Sequence, residues 1–84
     1  MVRMEAVFGC GDGLTPDVAA RLVQASERCR SKLKLERDGK RVRLDSLIGI
    51  LSVECRRGDR LAVVAVGEDE QRAAEAITAI LEGR

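Results

Sequence analysis

The dipeptide Asp38-Gly39 most constrains the fold, because it separates two short runs in which apolar and charged residues alternate. Leu33 and Leu35 alternate with charged residues before it, and Val42 and Leu44 do so after it. Asp-Gly between two alternating runs is the strongest short-range signal of a two-residue β-hairpin. Because a hairpin joins antiparallel strands, the sequence predicts an antiparallel sheet with one buried face.

The other apolar residues place further strands and helices around this hairpin. Alternation over residues 2–8 predicts a first strand, and the nearly continuous apolar run Leu61–Val66 predicts a central strand. Apolar residues spaced three and four apart predict helices that begin near Thr15, Ser46 and Asp69. The order β-α-β-β-α-β-α favours an α+β two-layer sandwich, with three helices on one face of a four-stranded antiparallel sheet.

The residue types that are absent from the sequence reduce the number of functions that the chain could have. The chain of 84 residues has room for one domain, which we expect to span residues 1–84. It contains no histidine, and Cys10, Cys29 and Cys55 stand far apart. The commonest general base is therefore absent, and three such cysteines do not make a zinc site. We expect no metal, no cofactor and no enzymatic activity.

Hydropathy indicates where the protein acts. The apolar runs of the chain are far shorter than the ~18 residues that a membrane span needs, and the start of the sequence lacks the apolar region of a signal peptide. An odd number of widely spaced cysteines favours free, reduced thiols. We therefore expect a cytoplasmic protein with no membrane partner.

Charge is distributed unevenly, although the net charge is only +1. Residues 28–60 hold eleven basic and five acidic side chains, whereas the rest of the chain holds four basic and nine acidic ones. The only aromatic residue is Phe8, so a basic surface lacks the rings that stack on nucleic-acid bases. A solvated face or an acidic protein partner is favoured over direct binding of nucleic acid.

Ser46 stands at the head of a short apolar run and is the strongest candidate for a functional residue. Serine accepts hydrogen bonds from first-turn amides at helix starts, and Leu47, Ile48 and Leu51 follow at helical spacing. A phosphate on Ser46 would lie at the positive end of the helix dipole, which stabilises negative charge by about 0.3–1 kcal/mol. The alternative is that Ser46 only caps the helix and that the three apolar residues fill the core.

Short segments spread over nearly the whole chain occur in an order that resembles one protein family. They are Asp12-Gly13-Leu14 with Ala19-Ala20, Asp38-Gly39-Lys40, the segment Asp45–Ser52, and Gly67-Glu68-Asp69-Glu70. The chain resembles HPr, the small phosphocarrier of the bacterial sugar phosphotransferase system, and this implies the HPr fold. The segment Asp45–Ser52 resembles the HPr proteins in which an HPr kinase phosphorylates the serine. The resemblance therefore implies that Ser46 is a regulatory phosphorylation site.

The resemblance fails at the family's phosphoryl-relay site. The family reads Gly-Leu-His-Thr-Arg-Pro-Ala, whose histidine carries the phosphoryl group and whose arginine helps to hold it. Here the same positions read Gly13-Leu14-Thr15-Pro16-Asp17-Val18-Ala19. Thr15 replaces the histidine, and a threonine alkoxide is too basic to leave readily. Asp17 replaces the arginine and repels phosphate, so we interpret the relay site as degenerate.

The same residues also have a purely structural interpretation. Thr15, Pro16 and Asp17 are preferred types at the cap and the first two positions of a helix, where they need no chemical role. A further alternative is that Asp17 or Cys10 has chemistry of its own. The exposure and pKa of a thiol cannot be read from the sequence.

Three functions stay open. The first is a regulatory HPr-like protein, similar to the catabolite-repression HPr proteins that lack the histidine and keep the serine. Its implied partners are HPr kinase/phosphorylase, a catabolite-control transcriptional repressor, and enzyme I without productive transfer. Two longer helices already cover the sheet, so we expect part of the set Leu47, Ile48 and Leu51 to be exposed and to bind a partner. The second function is a phosphocarrier with a non-histidine acceptor, and the third is a repurposed α+β protein-interaction domain.

Overall fold

Four strands and three helices follow one another in the predicted order. The computed structural model describes all residues, 1–84. The elements are β1 (Val2–Val7), α1 (Pro16–Glu27), β2 (Lys32–Arg37), β3 (Lys40–Arg43), α2 (Leu47–Leu51), β4 (Arg60–Val66) and α3 (Glu70–Leu81). The predicted α+β class and the order β-α-β-β-α-β-α are therefore confirmed.

Strand β4 lies inside the sheet, whose order is β1-β4-β2-β3. It pairs antiparallel with both β1 and β2, and β2 pairs antiparallel with β3 through the hairpin. At the hairpin turn Asp38 and Gly39 both have positive φ, 50° and 80°. Positive φ at both central residues is what a type I′ turn requires. The predicted hairpin and the predicted central strand are confirmed.

The helices and the inward side of the sheet enclose one apolar core. Alternate strand residues point to opposite faces, so each strand contributes every second side chain. The largest fully buried side chains in this core are Phe8, Leu22, Leu35, Leu44, Ile50, Val63, Ile77 and Leu81. The opposite side, here named the open sheet face, carries the alternate residues of the four strands. These residues are Arg3, Glu5, Val7, Lys32, Lys34, Glu36, Arg41, Arg43, Arg60, Ala62, Val64 and Val66.

The carboxylate of Asp69 links α3 to a remote part of the chain. Asp69 precedes α3 as predicted, but its side chain makes no cap hydrogen bond. It accepts hydrogen bonds from the Ser31 hydroxyl at 2.5 Å and from the backbone N–H of Arg30 at 3.1 Å. The hydrogen bond from Ser31, followed by that from Arg30, holds the pKa of Asp69 below its ordinary value. Asp69 thus fastens the start of α3 to the connection between α1 and β2.

The fold contains three free thiols and three short helices. Cys10, Cys29 and Cys55 are free cysteines, of which Cys55 is buried. Nη1 of Arg21 donates a hydrogen bond to Sγ of Cys10 at 3.4 Å. No group of three or more candidate metal ligands is present, and every helix is too short or too polar to cross a bilayer. No disulfide bond therefore contributes to this fold.

Candidate functional site

Ser46 caps α2 through its side chain. Its backbone is extended, with φ −113° and ψ 109°, and its Oγ accepts a hydrogen bond from the N–H of Gly49 at 3.1 Å. The carbonyl of Ser46 accepts from the N–H of Ile50 at 3.0 Å. This is the arrangement expected of a serine N-cap, so the predicted cap is confirmed. Ser46 is partly exposed, and its hydroxyl donates to no protein group.

Gly49 provides the space that this cap needs. A Cβ at Gly49 would lie 3.1 Å from Oγ of Ser46 and 3.4 Å from Cβ of Val42. The separation from Oγ is tighter than most real Cβ contacts, so a side chain at Gly49 would crowd the hydroxyl that caps the helix. The sequence analysis did not single out Gly49 as a functional residue. Its place three residues after a serine cap is the signal that could have found it.

A single residue anchors α2 to the core, and three others face outward. Ile50 is 0% exposed, whereas Leu47, Ile48 and Leu51 are 44%, 83% and 41% exposed. The prediction that part of this set is exposed is confirmed, and the alternative that all three fill the core is wrong. The sequence analysis missed Ile50 as the anchor. Leu47, Ile48 and Leu51 together are named the α2 apolar surface.

The carboxyl end of α2 is also held in place. The Ser52 hydroxyl donates to the carbonyl of Gly49 at 2.6 Å, and Nζ of Lys40 donates to the carbonyl of Ser52 at 2.9 Å. A cation at this end compensates the negative end of the helix dipole. A helix of five residues is too short to be stable by itself, so these contacts and Ile50 fix its position.

An ion pair lies immediately before Ser46. Nε and Nη2 of Arg43 donate to the two carboxylate oxygens of Asp45 at 3.0 and 2.7 Å. This hydrogen-bonded pair holds the pKa of Asp45 below its ordinary value and raises the pKa of Arg43. Arg43 is the basic residue nearest to Ser46 in the sequence and would be the natural partner of a phosphate there. The structure shows that Arg43 is already bound by Asp45, so a phosphate would have to compete for it.

The start of α1 holds Thr15 and Asp17, which the sequence analysis interprets as a degenerate relay site. Oγ1 of Thr15 accepts from the N–H of Val18 at 3.4 Å, and Pro16 takes the first helical position. Asp17 is exposed in the first turn and makes no ion pair. The predicted cap role of Thr15 is confirmed. These contacts give Thr15 and Asp17 the positions of helix-starting residues.

The structure does not bring Ser46 and Thr15 into one site. Oγ of Ser26 donates to the carbonyl of Leu44 at 3.1 Å, which ties the chain before Ser46 to the last turn of α1. A Cβ on Gly13 would lie 3.1 Å from the carbonyl oxygen of Cys55, so the chain after α2 lies beside the start of α1. Helix α2 therefore runs back along α1, with Ser46 toward the carboxyl end of α1 and Thr15 at its amino end.

Fold and site define a small two-layer α+β protein that displays a serine-capped helix at its surface. A family model described as "PTS HPr component phosphorylation site" matches residues 2–83. The chain belongs to the HPr family of the phosphotransferase system (PTS).

Individual relatives cover nearly the whole chain. HPr-like protein Crh of Bacillus subtilis is 35% identical over 82 residues, which are 98% of this chain and 96% of the relative. Phosphocarrier protein HPr of Borreliella burgdorferi is 33% identical over 82 residues, 98% of this chain and 95% of the relative. The crystal structure of HPr-C-His from Thermoanaerobacter tengcongensis superposes with a TM-score of 0.90 at 29% identity, covering 99% of this chain and 93% of the other. The HPr fold implied by the sequence is therefore confirmed.

Proposed function

We propose that this chain is a cytoplasmic regulatory HPr-like protein without catalytic or phosphoryl-relay activity. HPr kinase/phosphorylase phosphorylates Ser46, and the phosphorylated protein binds a catabolite-control transcriptional repressor. One observation carries this proposal: the partly exposed Ser46 lies next to the α2 apolar surface. The single buried residue of α2, Ile50, keeps this surface turned toward solvent. Exposed apolar residues grouped around one position are typical of a protein-binding surface.

The lost relay is supported by the sequence and by the first turn of α1. The chain has no histidine, and Asp17 adds a negative charge at the helix end that would otherwise attract phosphate. Enzyme I therefore has no suitable acceptor to phosphorylate. Relatives named HPr-like protein Crh and phosphocarrier protein HPr cover the chain to the same extent, so the missing histidine is what favours a regulatory role over a carrier role.

Phosphorylation of Ser46 leaves the fold unchanged and alters the surface. The Ser46 hydroxyl has no protein acceptor that it would have to give up, and the first-turn amides of α2 remain available to phosphate oxygens. The added charge lies beside the α2 apolar surface. The negative charge of the phosphate therefore determines which partner binds to this surface.

Kinase labelling tests the phosphorylation site. We expect HPr kinase and ATP to add one phosphate to the unmodified chain and none to Ser46→Ala. Ser52→Ala is the matched control, because Ser52 is an exposed serine at the other end of the same helix. Intact-mass spectrometry and peptide mapping measure the result. Labelling of Ser46→Ala at the same level as the unmodified chain would refute the proposal.

A second assay tests the carrier alternative. The chain is incubated with enzyme I and phosphoenolpyruvate, and acid-labile phosphate is measured beside a histidine-bearing HPr as the positive control. We expect no label, because Thr15 cannot carry a readily transferable phosphoryl group. Rapid labelling of this chain would show that it is a phosphocarrier.

Binding of the phosphorylated chain to a catabolite-control repressor tests the partner surface. Ile48→Ala should weaken binding by about tenfold or more, because Ile48 is the most exposed member of the surface. Gln71→Ala shortens an exposed side chain on α3, outside the α2 apolar surface and the open sheet face, and should bind normally. If Ile48→Ala binds as well as Gln71→Ala with its fold intact, α2 is not the binding surface and the repurposed-domain alternative gains support.

A further inference from the structure

We propose that the open sheet face is a second protein-binding surface, whose partner is an acidic protein with apolar side chains among its carboxylates. This face lies on the side of the sheet opposite to the helices, so the inference does not depend on Ser46 or on the α2 apolar surface. Both surfaces can be occupied at the same time.

The first observation is an apolar strip along the middle of this face. Strand β4 directs Ala62, Val64 and Val66 to this side, where Ala62 is buried, Val64 is partly exposed and Val66 is exposed. Val7 of β1 lies opposite Arg60, at the other end of the face from Val66. Val66 is 50% exposed and Val7 is 47% exposed. The solvated face of an antiparallel sheet normally carries polar residues, which β4 lacks over these three positions. An apolar strip inside a polar rim is the pattern of a protein interface.

The second observation is a set of unpaired cations that flank the strip. Lys34 lies opposite Val64, Lys32 opposite Val66, and Arg60 opposite Val7. All three basic side chains are exposed, and none forms an ion pair. Each cation is therefore available to a carboxylate of a partner that covers the valines.

The third observation is that the central carboxylate of the face is already neutralised. Glu36 accepts a hydrogen bond from Nη1 of Arg3 and forms an ion pair with Nε of Arg41. The hydrogen bond from Arg3 is the main reason that the pKa of Glu36 lies below its ordinary value. Glu36 thus adds little repulsion toward an acidic partner. The only other carboxylate on the face is Glu5, against six basic side chains.

The same contacts select a protein over a nucleic acid or a membrane. Arg3, Arg41 and Arg43 are engaged by carboxylates, which leaves far fewer free cations than the roughly six to ten phosphate contacts of strong duplex binders. The only aromatic ring, Phe8, is 1% exposed and cannot stack on bases or insert into lipid. Short valines beside free lysines instead match acidic and apolar side chains on a flat protein surface.

Two-dimensional NMR of the full ¹⁵N-labelled chain tests this inference. The probe is a short peptide of alternating glutamate and valine, and the charge control is the same peptide with lysine in place of glutamate. At physiological ionic strength the acidic peptide should shift the amides of β2 and β4, and the basic peptide should not. The double variant Lys32→Glu/Lys34→Glu should bind the acidic peptide roughly tenfold more weakly.

Two further variants separate this surface from general charge attraction. Arg72→Glu makes the same type of charge reversal on exposed α3 and should leave binding unchanged. Val64→Thr keeps the shape and charge of the strip but adds a hydroxyl, and should weaken binding several-fold. Absent shifts, equal weakening by Arg72→Glu, or unchanged binding by Val64→Thr would overturn the inference. Tighter binding of duplex DNA or phosphatidylserine vesicles, or self-association through this face, would also overturn it.

Discussion

At Ser46 one hydroxyl group has two possible uses. Its oxygen caps α2 by accepting from Gly49, while its proton has no protein acceptor. The cap could be predicted from the sequence because it depends on residues three apart. The engagement of Arg43 by Asp45 could not, because an arginine two residues away has many conformers and the sequence does not show which acceptor it chooses. The chemistry of the site therefore depends on which hydrogen-bond partners the side chains adopt, and the spacing of residues in the sequence does not show these partners.

Removing the Asp45 charge should make Ser46 a better kinase substrate. Asp45→Asn frees Arg43 and removes a carboxylate beside the incoming phosphate, so we expect phosphorylation to be roughly two- to fivefold faster. Initial rates of labelling by HPr kinase measure the effect. Asp38→Asn removes an equivalent charge in the hairpin turn and should leave the rate unchanged. A slower rate in Asp45→Asn would mean that the kinase uses this carboxylate.

Restoring the relay should require two changes in the first turn of α1. Thr15→His by itself should recover little transfer from enzyme I, because a like charge such as Asp17 at ~4 Å costs roughly 1–4 kcal/mol. The double variant Thr15→His/Asp17→Arg should recover more. Acid-labile phosphate after incubation with phosphoenolpyruvate is the measurement. Equal transfer by the single and double variants would show that Asp17 does not block the site.

At the scale of elements, α2 illustrates what spacing can and cannot show. Ser46 predicted where α2 starts, and the residues after it predicted an apolar helix. The two longer helices predicted that some of these apolar residues are exposed. The sequence did not show which residue of α2 points inward. A helix of barely more than one turn has no repeated apolar positions from which a buried face could be recognised. α2 packs against both α1 and β3, and these remote contacts place Ile50 in the core.

Stability measurements should separate the anchor from the surface of α2. Ile50→Ala removes a fully buried side chain, so we expect the free energy of unfolding to fall by about 2–4 kcal/mol. Ile48→Ala deletes the same atoms from an exposed position and should change it by at most about 0.5 kcal/mol. Urea titration followed by circular dichroism measures both. Similar losses in the two variants would contradict the orientation of α2 described here.

At the scale of the whole molecule, local patterns identified the elements and remote contacts assembled them. The hairpin at Asp38-Gly39 was predictable because turn and strands are adjacent in sequence. The bond from Ser31 to Asp69 joins residues 38 positions apart, and no local pattern indicates it. The position of β4 inside the sheet was predictable only because its apolar run is nearly continuous.

Acid should destabilise the whole fold through its paired carboxylates. Hydrogen bonds from Arg3, Arg43 and Ser31 lower the pKa values of Glu36, Asp45 and Asp69 in the folded state. The unfolded chain therefore binds protons first as the pH falls. The stabilisation from these groups is complete above the ordinary carboxyl value of about 4 and is lost as the pH falls through the lower folded values.

Urea midpoints at neutral and at acidic pH check this dependence. Asp69→Asn should be less stable than the unmodified chain at neutral pH and should lose less stability on acidification, because its amide does not titrate. Glu75→Gln is the matched control, because it replaces an exposed carboxylate on α3 that takes no part in the bonds to Ser31 and Arg30. An unchanged slope in Asp69→Asn would show that its bonds to Ser31 and Arg30 do not contribute to folding.

The place of β4 in the sheet also affects how the protein is made. β4 pairs with β1 on one side and β2 on the other, yet it is the last strand to be synthesised. Until residue 66 has left the ribosome, β1 has no partner strand and β2 can pair only with β3. Such non-local pairing delays folding until nearly all of the chain is free. We therefore expect a chain that stalls before β4 to lack the ordered core that holds α2 in place.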